Sequence, residues 1–265
     1  MRILCTTDFS TTSVNAIKWS LTYLDSIGGG DIEILHCLDI RSRGDMFLNL
    51  DRMMRDPAEK DMATLLSKLN SKKSSLSAKI VNASPKTYIP QRAKKIEADF
   101  IVIGTTGLTD LKNMTIGSVT EYIVKHTKIP VISIPKNAIF RNFNKIVLGV
   151  DDKLLKRPNS LLGIKKFIFK KKVKLFIVQV YKNPDSYLKI DDAVMEHFED
   201  HRTEVIPLLF DQSISRSINN FAEEVKAQLV CIIHHKRNWL LDIFHHSILK
   251  EELFSQDLPI LIIPD

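Results

Sequence analysis

The sequence predicts an α/β fold: two tandem, doubly wound domains, residues 1–140 and 141–265, each with a five-stranded parallel sheet covered on both faces. Three observations predict it. Short unbroken apolar runs such as Phe100-Ile101-Val102-Ile103 and Pro130-Val131-Ile132-Ser133-Ile134 read as parallel strands buried on both sides. Stretches of helical periodicity lie between such runs, the pattern of strand–helix crossovers. The order of elements in the first half then recurs in the second.

Ile3-Leu4-Cys5 is a short first strand. Residues 12–26 follow as a helix, with Val14, Ile17, Trp19, Leu21 and Leu24 near helical spacing. Gly28-Gly29-Gly30 breaks the chain before a second strand, Ile32 to Leu38. A polar, Met-rich helix is expected from about Pro57 to Lys73, and a third strand from Leu76 to Val81. Ser84-Pro85 caps a third helix, with proline at its tolerated first position. The strand at 100–103, a helix at 117–126 and the strand at 131–134 complete five strands.

In the second half Lys145-Ile146-Val147-Leu148-Gly149-Val150-Asp151 answers Arg2 to Asp8, and Val173–Val180 answers the second strand. Leu229–Ile233 answers the fourth, and Leu258–Pro264 answers Ile129–Pro135. Asp8 and Asp151 are offset by 143 residues, Pro130 and Pro259 by 129. The first copy is therefore longer, and the segment 39–56 is the expected place for the extra residues. The boundary falls around Lys136 to Asn144.

Composition narrows the function classes. A chain of 265 residues can bury two cores of ordinary size. No run reaches the roughly 18 apolar residues of a membrane helix, and the polar stop at Thr6-Thr7-Asp8 argues against a signal peptide. Three widely spaced cysteines (Cys5, Cys37, Cys231) do not describe a disulfide framework, so a reduced cytoplasm is expected. The net charge of +7 is spread over both halves and does not call for a specific nucleic-acid partner. The lysines at 165, 166, 170, 171, 172 and 174 straddle a helix end and a strand start, where they complement the helix dipole and stay solvated.

The chemistry concentrates in one spacing: Gly104, Gly107, then Gly117-Ser118. The first glycine follows a strand and the last opens a helix. Glycines admit close backbone approach, and a helix N-terminus offers unpaired N–H groups to an anion such as phosphate. Any one of these glycines could serve an ordinary turn; the full spacing after a strand favours phosphate. There is no Gly-x4-Gly-Lys-(Ser/Thr) P-loop, and no Gly-x-Gly-x-x-Gly after the first strand.

Together with Thr7-Asp8-Phe9-Ser10, Leu35-His36-Cys37 and Ala98-Asp99 leading into the fourth strand, this spacing resembles the universal stress protein family in its tandem form. The resemblance implies the adenine-nucleotide α-hydrolase-like fold, sheet order 3-2-1-4-5, with a crevice between strands 1 and 4. Open α/β sheets bind ligands at such a switch point. It further implies that Asp8 and the backbone at Cys37 hold adenine and ribose. Gly104, Gly107, the Gly117 backbone and the Ser118 hydroxyl would hold the phosphates of ATP or a related adenine nucleotide, with or without Mg²⁺. Asp8 could equally be a helix N-cap, and a cap carboxylate would still border the crevice. Thr7 and Thr106 could contact ligand or brace the turn. Phe47, Met53 and Met54 could cover an adenine face, or 39–56 could be a variable surface insertion. Pairing of the last strands, 131–134 beside 260–263, as an intrachain pseudo-dimer, with further homodimerisation open, is also implied by the resemblance.

The second copy departs. At offset 129, Ile233 stands for Gly104, Lys236 for Gly107 and His246 for Gly117; Ser247 alone matches. No glycine follows Gly163, so close backbone approach to phosphate is not expected there. His234-His235 and His245-His246, with Asp242, could be a metal site or a polar degenerate loop; no ligand spacing decides for metal. His197 and His201, i and i+4 on an expected helix, lack the glutamate of a zinc-protease motif. Three readings of function follow. The first is a stress-response regulator whose nucleotide occupancy changes affinity for a protein partner. The second is a slow ATPase, with Asp8, Ser118, Asp110 and Lys112 near the phosphates but no legible base. The third is an interaction scaffold without nucleotide.

Overall fold

The computed structural model describes residues 1–39, 46–105, 118–150, 162–168, 173–182, 198, 202–234 and 257–264. The described residues fall into two compact units: 1–105 with 118–140, and those from 141 onward. The first unit runs β1 (Arg2–Thr6), α1 (Thr11–Ser26), β2 (Asp31–Cys37), α2 (Met46–Ser67), β3 (Ser75–Val81), α3 (Pro85–Lys95), β4 (Phe100–Thr105), α4 (Ser118–His126) and β5 (Val131–Pro135). Its strands order as β3-β2-β1-β4-β5, every pair parallel.

The second unit contains β6 (Lys145–Val150), α5 (Leu162–Phe167), β7 (Lys174–Tyr181), β8 (Arg202–Leu209), α6 (Ile214–Glu224), β9 (Leu229–His234) and β10 (Ile260–Pro264). Its order β8-β7-β6-β9-β10 is the same arrangement, again parallel. Registers agree residue for residue. Ile3 pairs with Phe100 where Ile146 pairs with Leu229, and Gly104 pairs with Ile134 where Ile233 pairs with Ile263.

Those registers locate the length difference. Asp31 pairs with Ser75 in the first unit, Lys174 with Arg202 in the second. The offset of 143 at β2 therefore drops to 127 at β3, and returns to 129 at β4. The extra residues lie in the β2–β3 connection, as the sequence suggested, but not as a loop. Helix α2 begins at Met46, eleven residues before Pro57, and keeps Pro57 inside. Proline usually breaks a helix interior because it lacks an N–H and crowds the preceding turn. Here the freed carbonyls lie on an exposed stretch, Met53 being 72% exposed, so water can satisfy them. Further along the helix, Ala58, Met62, Leu65 and, just beyond it, Leu69 are buried.

Helix α1 is the element that organises the first unit. Ser10 is its N-cap, accepting from Ser13 N–H at 3.2 Å. Its far end closes in a Schellman pattern, Gly29 N–H to Leu24 O at 2.8 Å and Gly28 N–H to Asp25 O at 3.4 Å, with Gly28 at φ +106°. Asn15 donates to Pro135 O and Ala138 O, and Phe140 packs edge-on against Trp19, so α1 also holds the exit of β5. Ser84 precedes α3 at the expected place, but without a side-chain capping bond. β8 and α6 were not assigned from the sequence; Pro207 and the polar residues of β8 hid a strand on the sheet edge.

Across the sheet, Arg92 of α3 makes a bidentate pair with Glu33 of β2, Nε to Oε1 at 2.7 Å and Nη2 to Oε2 at 2.5 Å. Both side chains are mostly buried, so the pair is shielded from water. Arg92→Ala strands the Glu33 carboxylate and should cost about 2–3 kcal/mol of stability in urea unfolding. Arg92→Lys should recover only part of it, because a point charge cannot make both bonds; full recovery would show that charge alone matters.

Candidate functional site

The strand order places β1 between β2 and β4, so the connection leaving β1 and the one leaving β4 diverge at the C-terminal edge of the sheet. A crevice opens at that point in doubly wound sheets. Four residues, Thr7 to Ser10, carry the chain from β1 into α1. Asp8 sits in this turn, exposed. Its carboxylate accepts the Ser10 N–H at 3.0 Å and the Ser10 hydroxyl at 2.6 Å. Partial burial pushes its pKa up, but hydrogen bonds from the Ser10 and Ser13 hydroxyls and from backbone N–H groups outweigh that, and the net shift is downward. Asp8 is therefore a carboxylate at neutral pH, able to accept from hydroxyls or amines. The helix cap is Ser10, two residues on; Asp8 braces the cap instead of being it.

Gly104 lies one residue from the end of β4, on the other side of the crevice. A Cβ there would fall 2.7 Å from Thr12 O and 2.8 Å from Ser13 N and Cα. Its bareness is thus required by the first turn of α1, whether or not a ligand is present. Next to it Thr105 Oγ1 and Ser133 Oγ are hydrogen-bonded at 3.0 Å. Cys37 closes β2 and is half-buried. Burial, with the Asp39 charge, pushes its thiol up to about 11. Ser118 starts α4. Gly107 and Gly117, with Thr106, Asp110 and Lys112, lie outside the described residues.

The comparisons with known proteins bear on this arrangement. The profile of the universal stress protein family matches residues 1–135, just over half of the chain. This chain belongs to the universal stress protein family. Over 59 residues it is 38% identical to a universal stress protein A-like protein of Arabidopsis thaliana, a stretch that is 22% of this chain and 34% of that relative. The chain spans about a third of the length of the curated relatives it matches first. The solved structure of a universal stress protein from Archaeoglobus fulgidus aligns over 99% of this chain and 98% of its own, with TM-score 0.72 and 18% identity, a likeness of fold. A family protein from Arabidopsis thaliana solved with AMP bound aligns over 50% of this chain and 90% of its own, with TM-score 0.37 and 21% identity.

Within this universal stress protein the structure brings Asp8, Cys37 and Gly104 to the C-terminal ends of adjacent strands: Asp8 in the turn after β1, Cys37 at the end of β2 and Gly104 near the end of β4. In the second unit, the register position of Gly104 is Ile233, 1% exposed. His234 ends β9. His235, Asp242, His245 and His246, like His197 and His201, lie outside the described residues. Among the described residues no group of three His, Cys, Asp or Glu side chains is placed to hold a metal, and no helix is long and apolar enough to cross a membrane.

The sequence reading passed over two side chains in this region. Phe9 adopts φ +62°, the left-handed region that bulky residues avoid. Its ring packs on His36, centroids 4.5 Å apart. Both residues belong to the Thr7–Ser10 and Leu35–Cys37 segments, but backbone sign and ring packing leave no trace in residue spacing.

Two outcomes are expected. Gly104→Ala should lower urea stability by about 1–3 kcal/mol with no nucleotide added, since backbone must move to admit the methyl. Cys37 should react with iodoacetamide at a rate rising about tenfold per pH unit between pH 7 and 9, because only the thiolate attacks; a plateau in that range, read by peptide mapping, would contradict the raised pKa.

Proposed function

We propose that the first unit binds ATP or a related adenine nucleotide in the β1–β4 crevice, and that occupancy regulates binding of a protein partner in a stress response. The observation that carries this is that β1 and β4 pair directly, with Asp8 in the turn after β1 and Gly104 near the end of β4, where it heads the Gly-x2-Gly-x9-Gly-Ser spacing. An ionised Asp8 suits the hydroxyls of a ribose. The backbone of Gly107 and Gly117, with Ser118 at the start of α4, suits phosphate at a helix N-terminus. Family membership supports the same reading.

The second unit is read as having lost this mode. The buried Ile233 side chain stands where the first unit has bare backbone, and His246 takes the position of Gly117.

Calorimetric titration of the purified chain with ATP, with and without Mg²⁺, tests both statements. One site per chain is expected. Gly117→Val should abolish binding while leaving the unfolding midpoint near that of the parent, since its side chain would intrude on the phosphates. Absence of binding in the parent chain favours the scaffold reading; two sites would overturn the account of the second unit.

A further inference from the structure

The β1–β2 ladder ends at the crevice. Thr6 and Leu35 are its last register partners, and Thr7 N–H still donates to Leu35 O at 2.9 Å. Beyond them the Thr7 carbonyl takes a side chain: His36 Nδ1 lies 2.8 Å from it. A carbonyl can only accept, so Nδ1 carries the hydrogen. The same imidazole packs on Phe9, with ring planes tilted by 39°.

Phe9 is the strained member of the turn. Its φ of +62° is a conformation that costs about 1–3 kcal/mol and persists only where surroundings enforce it. Its N–H donates to Thr7 Oγ1 at 2.9 Å, and Thr7 Oγ1 meets Ser13 Oγ at 3.0 Å. Both neighbours of Asp8 in the chain are therefore held by one ring from another strand, Thr7 through its carbonyl and Phe9 through its face. The second unit provides a contrast. At the matching register Val150 pairs with Gln179, which is 3% exposed and whose side-chain oxygen has no hydrogen-bond partner among the described residues. A polar side chain at this position is not satisfied merely by being there.

We propose that His36 is a positioning residue: bonded to Thr7 and packed on Phe9, it holds the left-handed turn that presents Asp8 to the crevice. The consequence for ligand affinity rests on the nucleotide reading above. The consequence for the turn does not.

Three variants separate its two contacts. His36→Asn keeps a donor near the Nδ1 position and loses the ring, His36→Phe keeps a ring and loses the donor, and His36→Ala loses both. Hydrogen–deuterium exchange of the ligand-free full chain is read over residues 7–13 and over α3. His36→Ala should speed exchange of the turn by about tenfold and leave α3 unchanged, with the other two variants intermediate. ATP affinity should fall in the same order, the asparagine variant recovering part of what alanine loses. Parental exchange over 7–13 in His36→Ala overturns the proposal, as does acceleration spread equally over the whole unit. If the turn loosens as expected but the parent chain binds no ATP, the nucleotide reading fails and the positioning role stands.

Discussion

Helix α1 and strand β4 touch through bare backbone at Gly104, and the crevice geometry is measured from that contact. Thr12 O and the Ser13 backbone occupy the place of a side chain, so the helix cannot move toward β4 and gains nothing by moving away. Because only Thr7 to Ser10 join β1 to α1, fixing the helix start fixes the gap those residues must span. A four-residue connection between two fixed ends has few backbone solutions. The one adopted puts Phe9 in the left-handed region and is tied by hydrogen bonds among Thr7, Asp8, Phe9, Ser10 and Ser13. Asp8 takes its position from this chain of constraints.

The strain is affordable because the strands beneath are rigid. Ile3, Leu4 and Cys5 of β1 and Phe100, Ile101 and Val102 of β4 are all fully buried. Each large apolar side chain so buried contributes about 1.5–3 kcal/mol, against a strain at Phe9 of about 1–3 kcal/mol. Few of these side chains suffice to over-determine the turn. The Arg92–Glu33 pair does comparable work on the other face, tying α3 to β2, the strand that carries His36 and Cys37.

The strands of the first unit were legible because continuous apolar runs admit few other readings, and the offsets at Asp8 and Pro130 anticipated the registers of the matching strands. What stayed hidden has physical reasons. Pro57 marks a helix start in most sequences, yet α2 carries it inside because the surrounding stretch is exposed. β8 has alternating exposure and a proline, the pattern of a sheet edge, which resembles a loop in sequence. At the site, the spacing marks Gly104 for close approach to phosphate; what the structure places against it is the first turn of α1. In sequence Asp8 could equally be the cap of α1; in the structure Ser10 does the capping. Spacing shows that a backbone must come near something; it does not show which partner comes.

That distinction bears on how the two units differ. A glycine required by helix packing cannot by itself signal a ligand, so Gly104 would be kept even in a unit that binds nothing. The second unit nevertheless carries Ile233 at this register and buries it. Its fold therefore tolerates a side chain at that place, and the same strand order does not of itself demand bare backbone there. In the first unit, the close approach of α1 to β4 at Gly104 and the turn with Phe9 in the left-handed region lie side by side. A buried isoleucine adds apolar contact, and a left-handed phenylalanine adds strain. Strain of this kind clusters at binding sites, where a fixed geometry is worth a loss of stability. In the first unit the strain at Phe9 is held by the four-residue connection below it and by the His36 ring and its bond to the Thr7 carbonyl, contacts made within the fold itself.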